Sequence, residues 1–94
     1  MLDIKSLAEE LSIPEEKLIK ESLKTYLNDK LIEIESEIFK LRKKWKVKDI
    51  YEMNKLAEEG KIAEEEALDD FFLLDNLEAE RDKILKVLKL IEDE

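Results

Sequence analysis

Residues 27–45 read LNDKLIEIESEIFKLRKKW. Within them Leu27, Leu31, Ile34, Ile38, Leu41 and Trp45 recur at steps of four, three, four, three and four. That spacing keeps one apolar seam of an α-helix facing another helix. Asn28 and Asp29 weaken helix propensity locally but leave the seam intact. With no Gly or Pro to interrupt it, the seam predicts a helix over residues 13–44. At 1.5 Å per residue such a helix is about 45–50 Å long.

Upstream, Ile4, Leu7, Ala8 and Leu11 share one face of a short helix over residues 3–11. Ser12-Ile13-Pro14-Glu15 then reads as a capping box for the long helix, with Pro14 in its first turn. Downstream, Asp49 with Glu52 three residues later marks another helix start, over residues 49–59. That helix presents Ile50, Met53 and Leu56 or Ala57, and Gly60 is placed to end it in the left-handed conformation. A last helix over residues 63–91 carries Ala67, Phe71, Leu74, Leu77 or Glu78, Arg81, Ile84 or Leu85, Leu88 and Ile91 on one stripe. Alternating β-branched runs bounded by turns are absent.

The fold class is therefore all-α. It is a long antiparallel helical hairpin of residues 13–44 and 63–91, with short helices over 3–11 and 49–59, in one domain spanning 1–94. A two-helix seam buries a stripe only about 100° wide. Phe71, Phe72, Leu73 and Leu74 are consecutive and cover about 300° of the helix circumference. Ile32 and Phe39 likewise lie off the main seam. Either the short helices fold over this excess or another chain does, and the second option predicts a dimeric helical bundle.

Composition narrows the function. The chain has one Gly, one Pro, and no Cys, His or Gln. It can form no disulfide and no thiolate metal site. It lacks the usual general base and the commonest transition-metal ligand. A single Gly leaves no phosphate-cradling loop. Its Ser and Thr hydroxyls have no His to activate them. The expectation is a protein that is not an enzyme and uses no cofactor or metal. Abundant Lys and Glu without Cys or Gln suits a hyperthermophile. No apolar run nears the length that spans a bilayer, and the first residues show no signal-peptide pattern, so the expected location is cytoplasmic.

The net charge is −9 and it is unevenly spread. Residues 1–48 carry 11 basic and 10 acidic side chains, and residues 49–94 carry 6 and 16. This divides the chain into a near-neutral half and an acidic half at −10, which favours a basic partner and disfavours nucleic acid for the free protein. The basic run Lys40, Arg42, Lys43, Lys44, Lys46 and Lys48 could bind phosphate, with Trp45 stacking. Cations also gather at a helix C-terminus to complement its dipole, and Trp45 falls on the core seam, so that reading is preferred. The acidic run Glu58, Glu59, Glu64, Glu65, Glu66, Asp69 and Asp70 is the mirror image. The dipole accounts for Glu64 to Glu66 and less well for Asp69 and Asp70, two turns in. Those two could oppose a basic groove such as that of an RNA-handling protein.

Residues 7–27, LAEELSIPEEKLIKESLKTYL, resemble the two helices of ribbon-helix-helix proteins. Leu7, Leu11, Ile13, Leu18, Ile19, Ser22, Leu23 and Leu27 occupy the matching apolar or small positions. The resemblance implies an intertwined dimer core. Many members are antitoxins of toxin–antitoxin operons, which join a dimerising N-terminal half to a C-terminal segment that wraps a toxin. The DNA-reading strand of that family has no counterpart before Ile4. Residues 47–70 are similar to small archaeal helical proteins of antitoxin type.

The function expected from the resemblance and the charge split is an antitoxin-like binding protein. It dimerises and neutralises a basic toxin, an RNA-cleaving one among the options, by occlusion. A structural dimerisation or adaptor module is the alternative, and a DNA-binding regulator ranks below it. Leu7, Leu11, Ile19, Leu23 and Tyr26 are the candidate dimerisation residues in the half 1–48. Asp69, Asp70, Phe72, Leu73 and Asn76 are the candidate partner-binding residues in the half 49–94.

Overall fold

The computed structural model describes residues 2–94, so Met1 lies outside it. Four helices follow one another: α1 (Ile4–Leu11), α2 (Glu15–Trp45), α3 (Ile50–Glu58) and α4 (Glu64–Glu92). No strand occurs among the described residues. The expected all-α hairpin is present, with α2 and α4 packed along each other in one chain, α3 on α4, and α1 on α2.

The chain is a rod of 60 × 26 × 20 Å with a radius of gyration of 19.0 Å. A compact chain of this length would have a radius near 12–13 Å. Little of the surface is therefore far from solvent, and the core is a thin seam. Ile34, Ile38 and Leu41 from α2 meet Ala67, Leu74 and Ile84 from α4, and Val47, Ile50 and Met53 close the end near the turn. Leu74 and Met53 are the most deeply buried, at 0% and 1% exposure. Both alternatives left open at residues 77 and 78 face inward: Glu78 is buried and Leu77 half-buried. Ile84, not Leu85, takes the buried position.

Asp49 caps α3 as its spacing predicts, its carboxylate accepting the Glu52 N–H at 2.8 Å. The capping box at Ser12 does not form. No side chain caps the start of α2, where Pro14 stands just outside the first turn. Ser12 instead ends α1 in the left-handed region, at φ 56°. The Ser12 N–H donates to Glu9 O and the Ile13 N–H to Ala8 O, both at 3.1 Å. These two bonds satisfy the last carbonyls of α1. A corner this tight commits Ser12 to the preceding helix.

The same device recurs at the other two corners. Lys46 sits at φ 55° and Gly60 at φ 73°. Val47 N–H reaches Arg42 O at 3.0 Å, and Lys61 N–H reaches Leu56 O at 2.9 Å. Gly60 adopts this conformation without penalty, as expected from the sequence. Lys46 does not, because its Cβ crowds the backbone there. Lys46→Gly is expected to stabilise the fold by about 0.5–1 kcal/mol, seen as a higher urea midpoint at unchanged slope. A lower midpoint would show that the lysine side chain contributes more than its backbone strain costs.

Candidate interaction surfaces

Three features stand out once the core is removed from consideration. The first is the apolar N-terminal face. Leu7, Leu11, Ile19, Leu23 and Tyr26 are all solvent-exposed, with Tyr26 at 59%. α1 buries only Ala8 fully. Leu7 and Leu11 are one turn apart on α1, and Ile19, Leu23 and Tyr26 are spaced as one stripe on α2. The five candidate dimerisation residues therefore lie on two neighbouring helices and leave apolar surface open.

The second feature is the acidic half. The five candidate partner-binding residues do not form one surface. Asp69, Leu73 and Asn76 are exposed and repeat at four and three residues, so they share an outer strip of α4. Phe72 lies 100° around the helix from Leu73 and packs edge-on against Phe71, ring centroids 5.8 Å apart. With Met53, Ala57, Ala67 and Leu68 it lines a groove of about 170 Å³ between α3 and α4. Ligand pockets run to about 300–1,000 Å³, so this groove suits one large side chain and not a small molecule.

Asp70 turns back to its own chain. Its carboxylate accepts from Lys44 Nζ at 2.6 Å and from Trp45 Nε1 at 2.9 Å. Those bonds, the Lys44 contact foremost, hold its carboxyl below the ordinary value of 3.8. The carboxylate that the helix dipole explained poorly thus fastens α4 to the C-terminal end of α2. Trp45, half-buried on the core, is not free to stack on a base. Asp70→Ala is expected to cost about 1–2 kcal/mol and to shift the emission of the single tryptophan, read together in one urea titration. An unchanged midpoint would mean that the contact is a surface pair of no consequence.

The third feature is Glu78, only 8% exposed. Its Oε2 accepts the Ile50 N–H at 2.9 Å, so α4 supplies a second carboxylate to the N-terminus of α3. Burial pushes its carboxyl above the ordinary 4.5, against the lowering effects of that hydrogen bond and of Arg81 and Arg42. Arg42 Nε is buried beside it without a hydrogen-bond partner. The cleft above these groups mixes Arg42, Lys48 and Arg81 with Asp49, Asp75 and Asp82. Mixed charge of this kind gives no preference for an anion or a cation. Among the described residues no group of three or more carboxylates is gathered to hold a metal ion.

The excess of apolar residues stays exposed. α3 covers Phe71 on one flank, but Phe72 and Leu73 remain open to solvent, as do Ile32 at 67% and Phe39 at 63%. No described helix is long and apolar enough to cross a membrane.

No solved structure gives a significant match to the chain. Uncharacterized protein MJ0235 of Methanocaldococcus jannaschii is 34% identical over 76 residues, covering 81% of this chain and 93% of the relative. The match to the family described as Uncharacterized protein MJ0235 extends over residues 1–94, and the chain belongs to that family.

Proposed function

We propose that this chain is a non-enzymatic, cytoplasmic binding protein of antitoxin type. It associates with itself through α1 and the first half of α2, and its acidic half engages a basic protein. The observation that carries this reading is the exposure of Leu7 and Leu11 on α1 and of Ile19, Leu23 and Tyr26 on the neighbouring α2. It coincides with the stretch that resembles a dimerisation module. Apolar surface of that kind marks a protein contact more often than it is tolerated bare. The charge of −10 on residues 49–94 supports a basic partner by long-range attraction.

No chemistry is required of this chain. A toxin would be silenced by covering its basic groove, with Asp69, Leu73 and Asn76 on the outer strip of α4 as the contact and Phe72 on the neighbouring flank. The absence of His and Cys is consistent with that passive role. The free protein is expected to leave its own promoter DNA unshifted, because a net charge of −9 repels phosphate.

Two experiments test the reading. Co-expression with the neighbouring open reading frame is expected to yield a complex with a small basic protein. If none is encoded there and none co-purifies, the toxin partner is rejected and a structural adaptor is left. Light scattering on the wild type is expected to give a dimer or larger. Leu23→Glu places a charge in the middle of the apolar face and is expected to weaken that association about 100-fold or more, with helix content kept. A dimer that survives Leu23→Glu unchanged would remove the N-terminal face from the account.

A further inference from the structure

The groove between α3 and α4 has apolar walls and an acidic surround. None of the residues that line it is charged. Leu68 and Phe72 belong to its α4 wall and are 51% and 55% exposed. Met53 and Ala57 belong to its α3 wall, with Met53 almost wholly buried at the base.

Residues 62–80, which supply the α4 wall, hold eight Asp or Glu and no Lys or Arg. Two of the eight are engaged within the chain, Asp70 with Lys44 and Trp45, and Glu78 with Ile50. Asp75 belongs to the cleft of Arg42 and Arg81. Glu65 stands one turn before Leu68, and Asp69 one turn before Phe72. Both are exposed, and neither has an ion-pair partner among the described residues. On α3, Glu58 borders the groove, its carboxylate accepting from Asn54 Nδ2 at 3.2 Å. The cations nearest in sequence turn away: Lys55 and Lys61 line the other flank of α3, and Lys61 pairs with Glu59 at 3.2 Å.

That field repels phosphate chains and acidic lipid surfaces. A small cation without an apolar part would leave the walls uncovered. The surface therefore suits an apolar group carried on a cationic scaffold. The walls select the scaffold too. Both are helices whose main chain is hydrogen-bonded internally, so no strand edge is offered to an extended peptide. An occupant lying on them has to satisfy its own main chain, and a helix does so. The volume of about 170 Å³ takes one bulky side chain.

We propose that the α3–α4 groove docks a cationic amphipathic helix of a partner protein. One large apolar side chain enters among Met53, Ala57, Leu68 and Phe72. Lys or Arg residues beside it meet Glu58 on one bank, and Glu65 and Asp69 on the other. This rests on the reading that the acidic half engages a basic protein, and it names the element of that protein that makes the contact.

The probe is a fluorescein-labelled peptide of about 18 residues, made of Lys, Leu and one Trp, with its apolar residues on one helical face. Fluorescence anisotropy at about 0.1 M salt is expected to show micromolar binding to the full chain. A peptide of the same composition with its apolar residues dispersed around the helix is expected to bind at least about tenfold more weakly. Glu in place of Lys is expected to abolish binding. Phe72→Ala and Leu68→Ala are each expected to weaken the first peptide about tenfold. Glu65→Gln with Asp69→Asn is expected to weaken it about fivefold. Glu92→Gln with Asp93→Asn makes the same change in net charge about 35–40 Å further along α4. It is expected to stay within about twofold, because charges are screened over about 10 Å at this salt. Every position replaced is exposed, and circular dichroism checks that the helices persist.

No binding of the amphipathic cationic peptide overturns the proposal, as does equal binding of the dispersed one. Equal weakening by the two acid pairs also overturns it, since net charge alone would then attract the peptide. Binding that Phe72→Ala and Leu68→Ala leave unchanged removes the groove. The acidic half would remain the contact if Glu65→Gln with Asp69→Asn still weakened that binding, and the co-expression experiment decides the broader reading separately. A wild-type oligomer that Phe72→Ala dissociates in light scattering would make a second copy the occupant and reject a partner helix.

Discussion

Leu74→Ala is expected to destabilise the chain by about 3–5 kcal/mol and to lower its urea midpoint accordingly. Leu74 has no solvent exposure and belongs to the seam shared by α2, α3 and α4. Removing its branched end forfeits the transfer free energy of the missing carbons and leaves a cavity that rigid helices close only in part. Domains of this size hold about 5–10 kcal/mol in total, so one residue carries a large share. The elongated shape makes the loss worse. With a radius of gyration of 19.0 Å, no second layer of core can take up the strain. Chemical denaturation followed by circular dichroism measures it. Leu74→Met preserves volume and is expected to cost less than about 1.5 kcal/mol. Equal losses for Ala and Met would show that shape, not buried volume, governs the site. Because Leu74 and Met53 lie together in that core, the alanine variant is also expected to loosen α3 and open the groove lined by Phe72.

The periodic part of the molecule is legible in the sequence. The four-three repeat from Leu27 to Trp45 located the α2 seam because heptad spacing can satisfy only a helix facing another helix. Asp49 and Gly60 bounded α3 because each performs a job few other residues do: one accepts an N-terminal N–H, the other accepts a positive φ. Ser12 misled for a related reason. Its side chain suits an N-cap, but a corner with only Ser12, Ile13 and Pro14 between helices has room for one terminating motif, and the end of α1 takes it. Lys46 gives no signal at all, since a lysine at positive φ is fixed by the chain that follows.

The candidate contact residues divide in the same way. Exposure at Leu7, Leu23 or Phe72 could be inferred, because the apolar content exceeds what one seam buries. The inward turn of Asp70 could not, since it depends on the relative register of α2 and α4. A residue of doubt did point to it: the helix dipole left a carboxylate two turns in without an explanation, and Lys44 and Trp45 supply one. Glu78 lay on the apolar stripe of α4 as an alternative to Leu77. The structure uses both, one for packing and one to reach Ile50.

Glu78 is where stability and pH are expected to meet most sharply. Its carboxyl lies above the ordinary value of 4.5 in the folded chain, burial being the main cause. An unfolded chain returns it to about 4.3. Between those two values the native state holds a proton that the unfolded state has released. Stability from this group is therefore complete below about 4.3 and falls as pH rises through the folded value. Asp70 and Asp3 act in the opposite sense. Their carboxyls are held below 3.8, Asp70 chiefly by Lys44 and Asp3 chiefly by the Ser6 hydroxyl. They stabilise above the unfolded aspartate value of about 3.9, and that contribution is lost on acidification through their lower folded values. Glu78→Gln keeps an oxygen for the Ile50 N–H and removes the buried charge. It is expected to be more stable than the parent at neutral pH, and to lose the decline in stability that the parent shows as pH rises through the raised folded value. Glu78→Leu removes the acceptor as well and leaves the Ile50 N–H buried and unpaired, so it is expected to be about 1–3 kcal/mol less stable than Glu78→Gln, a difference that does not vary with pH. The distinguishing measurement is the urea midpoint of all three proteins at steps from pH 4 to pH 8. A Gln variant less stable than the parent at neutral pH would mean that Arg42 and Arg81 hold the carboxylate more strongly than burial opposes it. The unpartnered Arg42 Nε would then need that charge beside it, and the polar cleft above α3 would be held together as an ion cluster.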